Sequence, residues 1–244
     1  MTCTLSIDVG GTGIKALVLN DRGEPISERS RVDTPYPCPP ELFLETVREL
    51  VTDQPSFDRV SIGFPSMVRD GRTLRVVPFA RAVKSGARDP ELYAHWDGYR
   101  LQQGISEMLG VPALLINDAD MQGCAVVTGE GVELVITLGT GVGTGLFHEG
   151  RLLPHLELSQ GEFGGDSVDI AIGDAQRRKV GNKRWRLLVT KALTDFDAKI
   201  IPNKIYVGGG NSKHLRPEDL IDGCEIVPNT AGLLGGARAW ELAK

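Results

Sequence analysis

The chain has 244 residues, 41% hydrophobic and 24% charged, with a formal net charge of -5. This is the composition of one or two globular domains with a core of their own; the acidic balance argues against nucleic acid as the main partner, and no apolar run reaches the ~18 residues of a membrane span. Cys3, Cys38, Cys124 and Cys224 are scattered with no C-x-x-C pair, a pattern of buried thiols in a reducing compartment, and with no signal peptide at the start the expected location is cytoplasmic.

Leu5–Val9 reads as a strand, the glycines at 10, 11 and 13 as a turn, and Ile14–Leu19 as a returning strand, with Ile26–Val32 completing an antiparallel meander. Prolines 35, 37, 39 and 40 lead to a helix over Glu41–Val51, whose Phe43, Val47, Leu50 and Val51 share a face. Arg59–Phe64 predicts a strand and Val68–Leu74 a hairpin around Asp70-Gly71. Residues 75–100 carry no clear periodicity. A helix over Leu101–Leu109 and a buried strand over Ala113–Ile116 follow, and a further helix begins just after Asp118 and runs to about Thr128.

The second half repeats the opening grammar. Leu134–Leu138 is a strand, "GTGVGTG" a turn, and Leu146-Phe147 the return. This echo of "SIDVGGTGIKALVLN" predicts two related lobes. Helices are expected at about Ser167–Lys179 and Lys183–Asp197, the latter with Trp185, Leu188, Val189, Ala192 and Phe196 on one side. Lys204–Val207 is a strand ending in Gly208, Gly209 and Gly210, and Ala231–Lys244 closes the chain as a helix.

Strand, glycine turn, strand is neither the dinucleotide fingerprint, which needs a following helix, nor a Walker loop, which needs Gly-Lys-Ser/Thr. A glycine-tipped hairpin can instead point backbone N–H groups at an anion, with no Cβ to hold a phosphate away. Asp8 at the end of the first strand suits a hydrated Mg²⁺, and Thr12 and Lys15 add a hydroxyl and a charge. In "LLINDADMQG", Asn117 and Asp118 emerge from a buried strand. A carboxylate there can take the proton of a hydroxyl attacking phosphorus, or it can cap the following helix; the local pattern supports both.

"IDVGGTGIK", "GFPSMV", "NDAD", "TLGTGVGTGLF", "EGRLLPHLEL" and "YVGGGNSK" occur in the order seen in ROK-type sugar kinases, and the chain resembles most the branch called polyphosphate glucokinases. The resemblance implies the actin-like ATPase fold, two RNase H-like α/β lobes with a central cleft, here an N-terminal lobe 1–117 joined by the helix 231–244 and a C-terminal lobe 118–230. It implies transfer of a phosphoryl group from ATP or inorganic polyphosphate, with Mg²⁺, to the 6-hydroxyl of a hexose, glucose first. Asp118 would be the general base, and Asn117, Asp118, Glu157 and Gln160 would bind the sugar. Asp8 (also the Mg²⁺ contact, through water), Gly10, Gly11, Thr12, Gly13 and Lys15 would form the first phosphate loop. Thr137, Gly139, Thr140, Gly141 and Gly143 would form the second, and Gly208, Gly209, Gly210 and Asn211 the wall beside a nucleotide or polyphosphate tail. A homodimer is implied, and neither structural zinc, nucleic acid nor membrane is expected as a partner.

Two departures bear on the sugar. Glu157-Leu158-Ser159-Gln160 stands where the family reads E-x-G-H, and Val168 precedes Asp169 where an acidic pair is usual. The zinc motif C-x-C-G-x-x-G-C is absent, and with six residues before Ile7 no helix-turn-helix, and so no ROK-type repressor, is expected. The basic run of residues 177–191, with Arg177, Arg178, Lys179, Lys183, Arg184, Arg186 and Lys191, is either a polyphosphate track or a solvated helix face. Two other readings stay open: a non-catalytic actin-like nucleotide- or sugar-binding protein, and an ATP-only ROK hexokinase for another sugar.

Overall fold

In a computed structural model, which describes residues 2–84, 86–228 and 231–243, the first glycine turn is a tight β-hairpin. β1 (Thr4–Gly10) and β2 (Gly13–Leu19) pair antiparallel from Thr4↔Leu19 to Gly10↔Gly13, so that Gly11 and Thr12 alone form the loop. β3 (Ser30–Val32) pairs with β2 and is shorter than expected. Pro25 makes an isolated bridge to Leu19, and the Ser27 hydroxyl accepts the Val18 N–H that a strand carbonyl would have taken.

The rest of this unit builds on the hairpin. α1 (Pro40–Leu50) is followed by β4 (Arg59–Phe64), the small hairpin β5 (Met67–Arg69) and β6 (Arg72–Leu74), α2 (Pro90–Trp96), α3 (Leu101–Leu109), β7 (Ala113–Asn117) and α4 (Asp118–Val126). The sheet order is β3-β2-β1-β4-β7, with β1, β4 and β7 parallel. α2, absent from the sequence reading, has a clear cap: Asp89 accepts the N–H groups of Glu91 and Leu92, and Pro90 opens the helix. One face of the sheet buries an aromatic cluster of Phe43, Phe64, Phe79 and Trp96, whose ring centroids lie 5.2–6.0 Å apart. The indole N–H of Trp96 reaches the Cys38 carbonyl at 2.7 Å.

The second unit opens with β8 (Val132–Leu138), β9 (Val142–His148) and β10 (Arg151–Leu152). A two-stranded ribbon, β11 (Glu162–Phe163) and β12 (Asp166–Ser167), leads into α5 (Val168–Ile172), α6 (Asp174–Ile200), β13 (Lys204–Gly208) and β14 (Cys224–Ile226). Its sheet order is β10-β9-β8-β13-β14, with β13 parallel to β8 and β14. In the order of appearance within each sheet this is the same 3-2-1-4-5 arrangement as in the first unit, so the glycine-turn echo is one part of a repeated topology. The first expected helix is interrupted at Gly173 (φ -65°, ψ 171°), giving α5 and the opening turns of α6, and Gly181, at φ 75° and ψ 159°, separates it from the second. Trp185, Val189, Ala192 and Phe196 are buried as their spacing predicts.

By packing, the chain divides into Met1–Ala125 with Gly232–Lys244, and Val126–Ala231. α7 (Ala231–Leu242) belongs to the first. Ser6 and Ser61, paired on β1 and β4, donate to the helix carbonyls of Leu233 and Gly236 at 2.6 and 2.7 Å. A Cβ on Gly235 would run into the Met121 carbonyl and one on Gly236 into the Ser6 side chain. Residue 230 at the expected boundary, and Lys244 at the expected helix end, lie outside the described residues. The cysteines are all free; burial pushes the Cys38 thiol up to about 12, Cys224 up to about 11 and Cys124 upward as well.

Candidate active site

In the first unit the parallel strands β1, β4 and β7 bring their C-terminal ends to one edge of the sheet. Asp8 lies in register with Gly63, and Gly63 with Ile116, which places Asn117 and Asp118 two strand spacings, roughly 10 Å, from the first hairpin. The hairpin is held from behind. Thr34 Oγ1 donates to the Gly10 carbonyl at 2.6 Å, the Tyr36 hydroxyl to Gly11 at 3.0 Å and Arg31 to Thr12 at 3.3 Å. The Gly11 and Thr12 amides donate to no protein acceptor among the described residues. Two N–H groups on a turn whose carbonyls are already tied suit an anion. Lys15 Nζ sits 2.8 Å from Asp8 Oδ2, both side chains partly exposed.

Asn117 and Asp118 mark the end of β7 and the start of α4. Asn117 is buried; its Nδ2 donates to the carbonyls of Ser66 (3.1 Å) and Phe64 (3.5 Å), and its Oδ1 accepts the Ala119 N–H at 2.8 Å. Asp118 Oδ1 also accepts that N–H, at 3.0 Å, with the side chain half-buried. The capping that the sequence offered to Asp118 is thus shared with Asn117. Gly63 is the close approach behind the pair, for a Cβ there would lie 3.2 Å from Asp118 Cα.

In the second unit, Gly139, Thr140 and Gly141 form the loop between β8 and β9, closed by Gly139 N–H to the Gly141 carbonyl at 2.9 Å. The Thr140 and Gly141 amides have no protein acceptor among the described residues. Asn211 ties the following glycine segment to this turn: its backbone N–H reaches the Leu138 carbonyl and its Nδ2 the Gly139 carbonyl, both at 2.8 Å. Gly209, at φ +85°, passes so close to Leu138 that a Cβ would meet its backbone at 2.5 Å. Thr137 pairs with Gly143 and with Gly208, so the predicted loop and wall residues of this unit share one sheet edge.

Two carboxylates that the sequence analysis left undefined support that turn. Asp169 Oδ1 accepts the Val142 N–H at 2.7 Å, in the space a Cβ on Gly141 would fill. Burial raises the pKa of Asp169, the Val142 bond opposes the rise, and the neighbouring Glu157 charge adds to it. Asp174 receives Arg177 at 2.8 Å, Arg178 at 2.7 Å and Asn211 at 3.2 Å, and its own N–H donates to the Thr140 carbonyl. Burial alone would raise its pKa, but these donors outweigh burial and hold it below the ordinary value. Arg186 is likewise paired with Asp219. In the basic run, therefore, Arg177, Arg178 and Arg186 are engaged by carboxylates, while Lys179, Lys183 and Arg184 are exposed with no ion pair among the described residues.

Glu157 precedes a 3-10 turn over Leu158–Gln160 with its carboxylate partly exposed, beside the buried His155. Gln160 is exposed at the end of that turn. Val168 is buried and, with Leu158, Phe196 and Ile200, lines a cavity of about 280 Å³ that Glu157 also borders. Apolar walls leave the hydroxyls of a hexose unpaired, so this cavity is a poor sugar site.

Asp8 is a lone carboxylate, and the described residues hold no group of three or more His, Cys, Asp or Glu able to ligate a metal. One carboxylate acting through water, with phosphate oxygens supplying the rest, is a donor set that suits Mg²⁺ and no resident all-protein metal site.

A model of the ROK family matches residues 4–170. The chain is 29% identical over 249 residues to a polyphosphate glucokinase of Mycobacterium tuberculosis (strain CDC 1551 / Oshkosh), spanning 96% of this chain and 89% of that one. Among solved structures, an inorganic polyphosphate/ATP-glucomannokinase from Arthrobacter sp. strain KM superposes with a TM-score of 0.80 at 28% identity, over 99% of this chain and 98% of that one. A ROK family glucokinase from Streptomyces griseus, in complex with glucose and AMPPNP, gives 0.74 at 17% identity over 98% of each chain, a likeness of fold. The chain accordingly has the expected actin-like ATPase fold.

Proposed function

The chain belongs to the ROK family, and from that premise we propose that it is a sugar kinase of the polyphosphate/ATP glucokinase kind, acting on the 6-hydroxyl of a hexose. The observation that carries this reading is the first sheet edge, where a half-buried aspartate closes β7 and a glycine turn with two uncommitted amides closes β1. Asp118 accepts the proton of the hexose 6-hydroxyl as that oxygen bonds to the terminal phosphorus and the phosphoanhydride bond breaks. The Gly11, Thr12, Thr140 and Gly141 amides and Lys15 meet the phosphate oxygens, where charge is redistributed in the transition state. Mg²⁺ arriving with the donor would supply further charge neutralisation, with Asp8 reaching it through water. Glu157 and Gln160 hold ring hydroxyls; Asn117 adds to them through the second lone pair of Oδ1. Gly208–Asn211 backs the second turn as the wall beside the donor's tail. A homodimer in the cytoplasm completes the reading by family likeness.

The test is a coupled assay of glucose, mannose and N-acetylmannosamine against ATP and polyphosphate, followed by D118N. We expect hexose 6-phosphate from the wild type. D118N should lower kcat by ~10²–10⁴-fold while calorimetry still finds the hexose bound. Substantial turnover in D118N removes Asp118 from its role. An ATP-only hexokinase draws support from the engagement of Arg177, Arg178 and Arg186 by Asp174 and Asp219; product with ATP alone would decide for it.

A further inference from the structure

Two peptides of the second glycine turn carry its free N–H groups, and both are tied at their other end. The peptide between Gly139 and Thr140 has its carbonyl on Asn211 Nδ2 at 2.8 Å, and the next, between Thr140 and Gly141, has its carbonyl on the Asp174 N–H at 3.2 Å. Both peptides are trans, so C=O and N–H point opposite ways within one plane. Fixing the two carbonyls therefore aims the Thr140 and Gly141 amides, which donate to no acceptor among the described residues. Gly173 lets α6 start this close to the turn, for a Cβ there would lie 3.2 Å from the Thr140 carbonyl oxygen and 2.5 Å from that of Asp169.

Asp174 joins the two ties. Its Oδ1 accepts from Asn211 Nδ2 at 3.2 Å, so the two hydrogens of that amide are divided between the turn and the carboxylate. The carboxylate is also fixed from its own helix: Arg177 gives Nε and Nη2 to Oδ1 at 2.9 and 2.8 Å, and Arg178 gives Nε to Oδ2 at 2.7 Å. A carboxylate in the first turn of a helix ordinarily meets the helix dipole and basic residues one turn on. That accounts for Arg177 and Arg178. It does not account for the bonds to Asn211 and Thr140, which lie on other segments of the unit and both bear on the turn.

The geometry points to Asp174 as a positioning residue for the phosphoryl donor: its carboxylate holds the Asn211 amide on Gly139 and its N–H holds Thr140, so that the two free amides of the turn are presented to phosphate. Asp174 acts on the donor through Asn211 and the turn. This rests on the kinase reading, in which the Thr140 and Gly141 amides meet phosphate oxygens.

The experiment compares wild type, D174A, D174N, N211A and D174A/N211A by KM for hexose and for ATP and polyphosphate, by calorimetric hexose binding without donor, and by thermal unfolding. D174A should raise donor KM roughly tenfold, with hexose KM and hexose binding within about twofold of wild type. D174N, which keeps an oxygen to accept from Asn211, should recover part of the loss. N211A should raise donor KM as well, and the double variant by less than the product of the two single rises, because both act on one chain of hydrogen bonds. Unchanged donor KM in D174A or N211A, equal rises in donor and hexose KM, or a double variant that multiplies the single effects would overturn the assignment while leaving the kinase intact. If D174A does not fold, D174N decides: its donor KM should stand about threefold above wild type, and a value equal to wild type overturns the role. A wild type that phosphorylates no hexose of the panel with either donor overturns the kinase reading itself.

Discussion

Glu133 shows how much a single buried carboxylate can organise. Its side chain is fully buried at the start of β8, and it accepts four hydrogen bonds: the Thr128 N–H (2.7 Å) and hydroxyl (3.0 Å), the Gly129 N–H (2.7 Å) and the Tyr206 hydroxyl (2.9 Å). Burial alone would raise its pKa; the four donors outweigh burial and hold it below the usual glutamate value. A carboxyl depressed in the folded state adds stability that is present above its unfolded pKa, about 4.3, and is lost as pH falls through the folded value. E133Q puts an amide where four donors converge, and should destabilise the protein by ~1–3 kcal/mol at pH 7. Urea unfolding at pH 7 and at pH 3 should show that gap narrowing with acid; a gap independent of pH would contradict the ionised role. His155 and Asp169 make the same point for the site. Asp169 stood out only as half of an acidic pair and His155 not at all, because a histidine between Pro154 and Leu156 and an aspartate in the first turn of a short helix show no role until the chain folds them beside Glu157 and Gly141.

At the scale of elements, the hairpins were legible for a clear reason. A buried apolar run ending in Gly-x-Gly and returning has few ways to fold, and β1, β2, β8 and β9 took the expected one. β4, β7 and α3 were equally plain, as apolar runs bounded by turn residues. α2 was missed because Trp96 is its one fully buried side chain, so it shows no period, although Asp89-Pro90 announced its cap. β14 was missed because three residues centred on the exposed Glu225 look like loop. Gly181 was visible as a glycine among charges, and it separates two helical segments as expected; in the second of them the Trp185 indole N–H reaches the Ile172 carbonyl at 2.7 Å. The second turn carries a prediction at this scale. A Cβ at position 141 would sit 2.5 Å from Asp169 Oδ1, so G141A should push that carboxylate off the Val142 amide. Donor KM should rise about fivefold or more, with a stability loss of ~1–3 kcal/mol, while hexose binding changes little. An unaltered donor KM would show that the turn does not handle phosphate.

Across the whole molecule the same five-strand order is used twice with different chemistry at equivalent places. Asp8, two residues before Gly10, corresponds to Thr137, two residues before Gly139, and only the first of these hairpins carries an acid–lysine pair. The fifth strand ends at Asn117, with Asp118 next, in one sheet and at Ile226, with Val227 next, in the other, so a single frame bears the candidate base. That repeat could be anticipated from the glycine turns, whereas the return of α7 to the first sheet depends on Gly235 and Gly236, whose meaning appears only against Met121 and Ser6. The packed cysteines offer a practical consequence. Cys38 and Cys124 lie in the first unit and Cys224 in the second, so pulsed alkylation read by mass spectrometry becomes a clock for each half separately. Cys3 should react within the first pulse, the partly exposed Cys224 more slowly because burial pushes its thiol up to about 11, and the buried Cys38 and Cys124 only at the pace at which their half breathes open, at matching rates. Ligand-dependent slowing confined to one pair or to Cys224 would then tell which half a given substrate steadies.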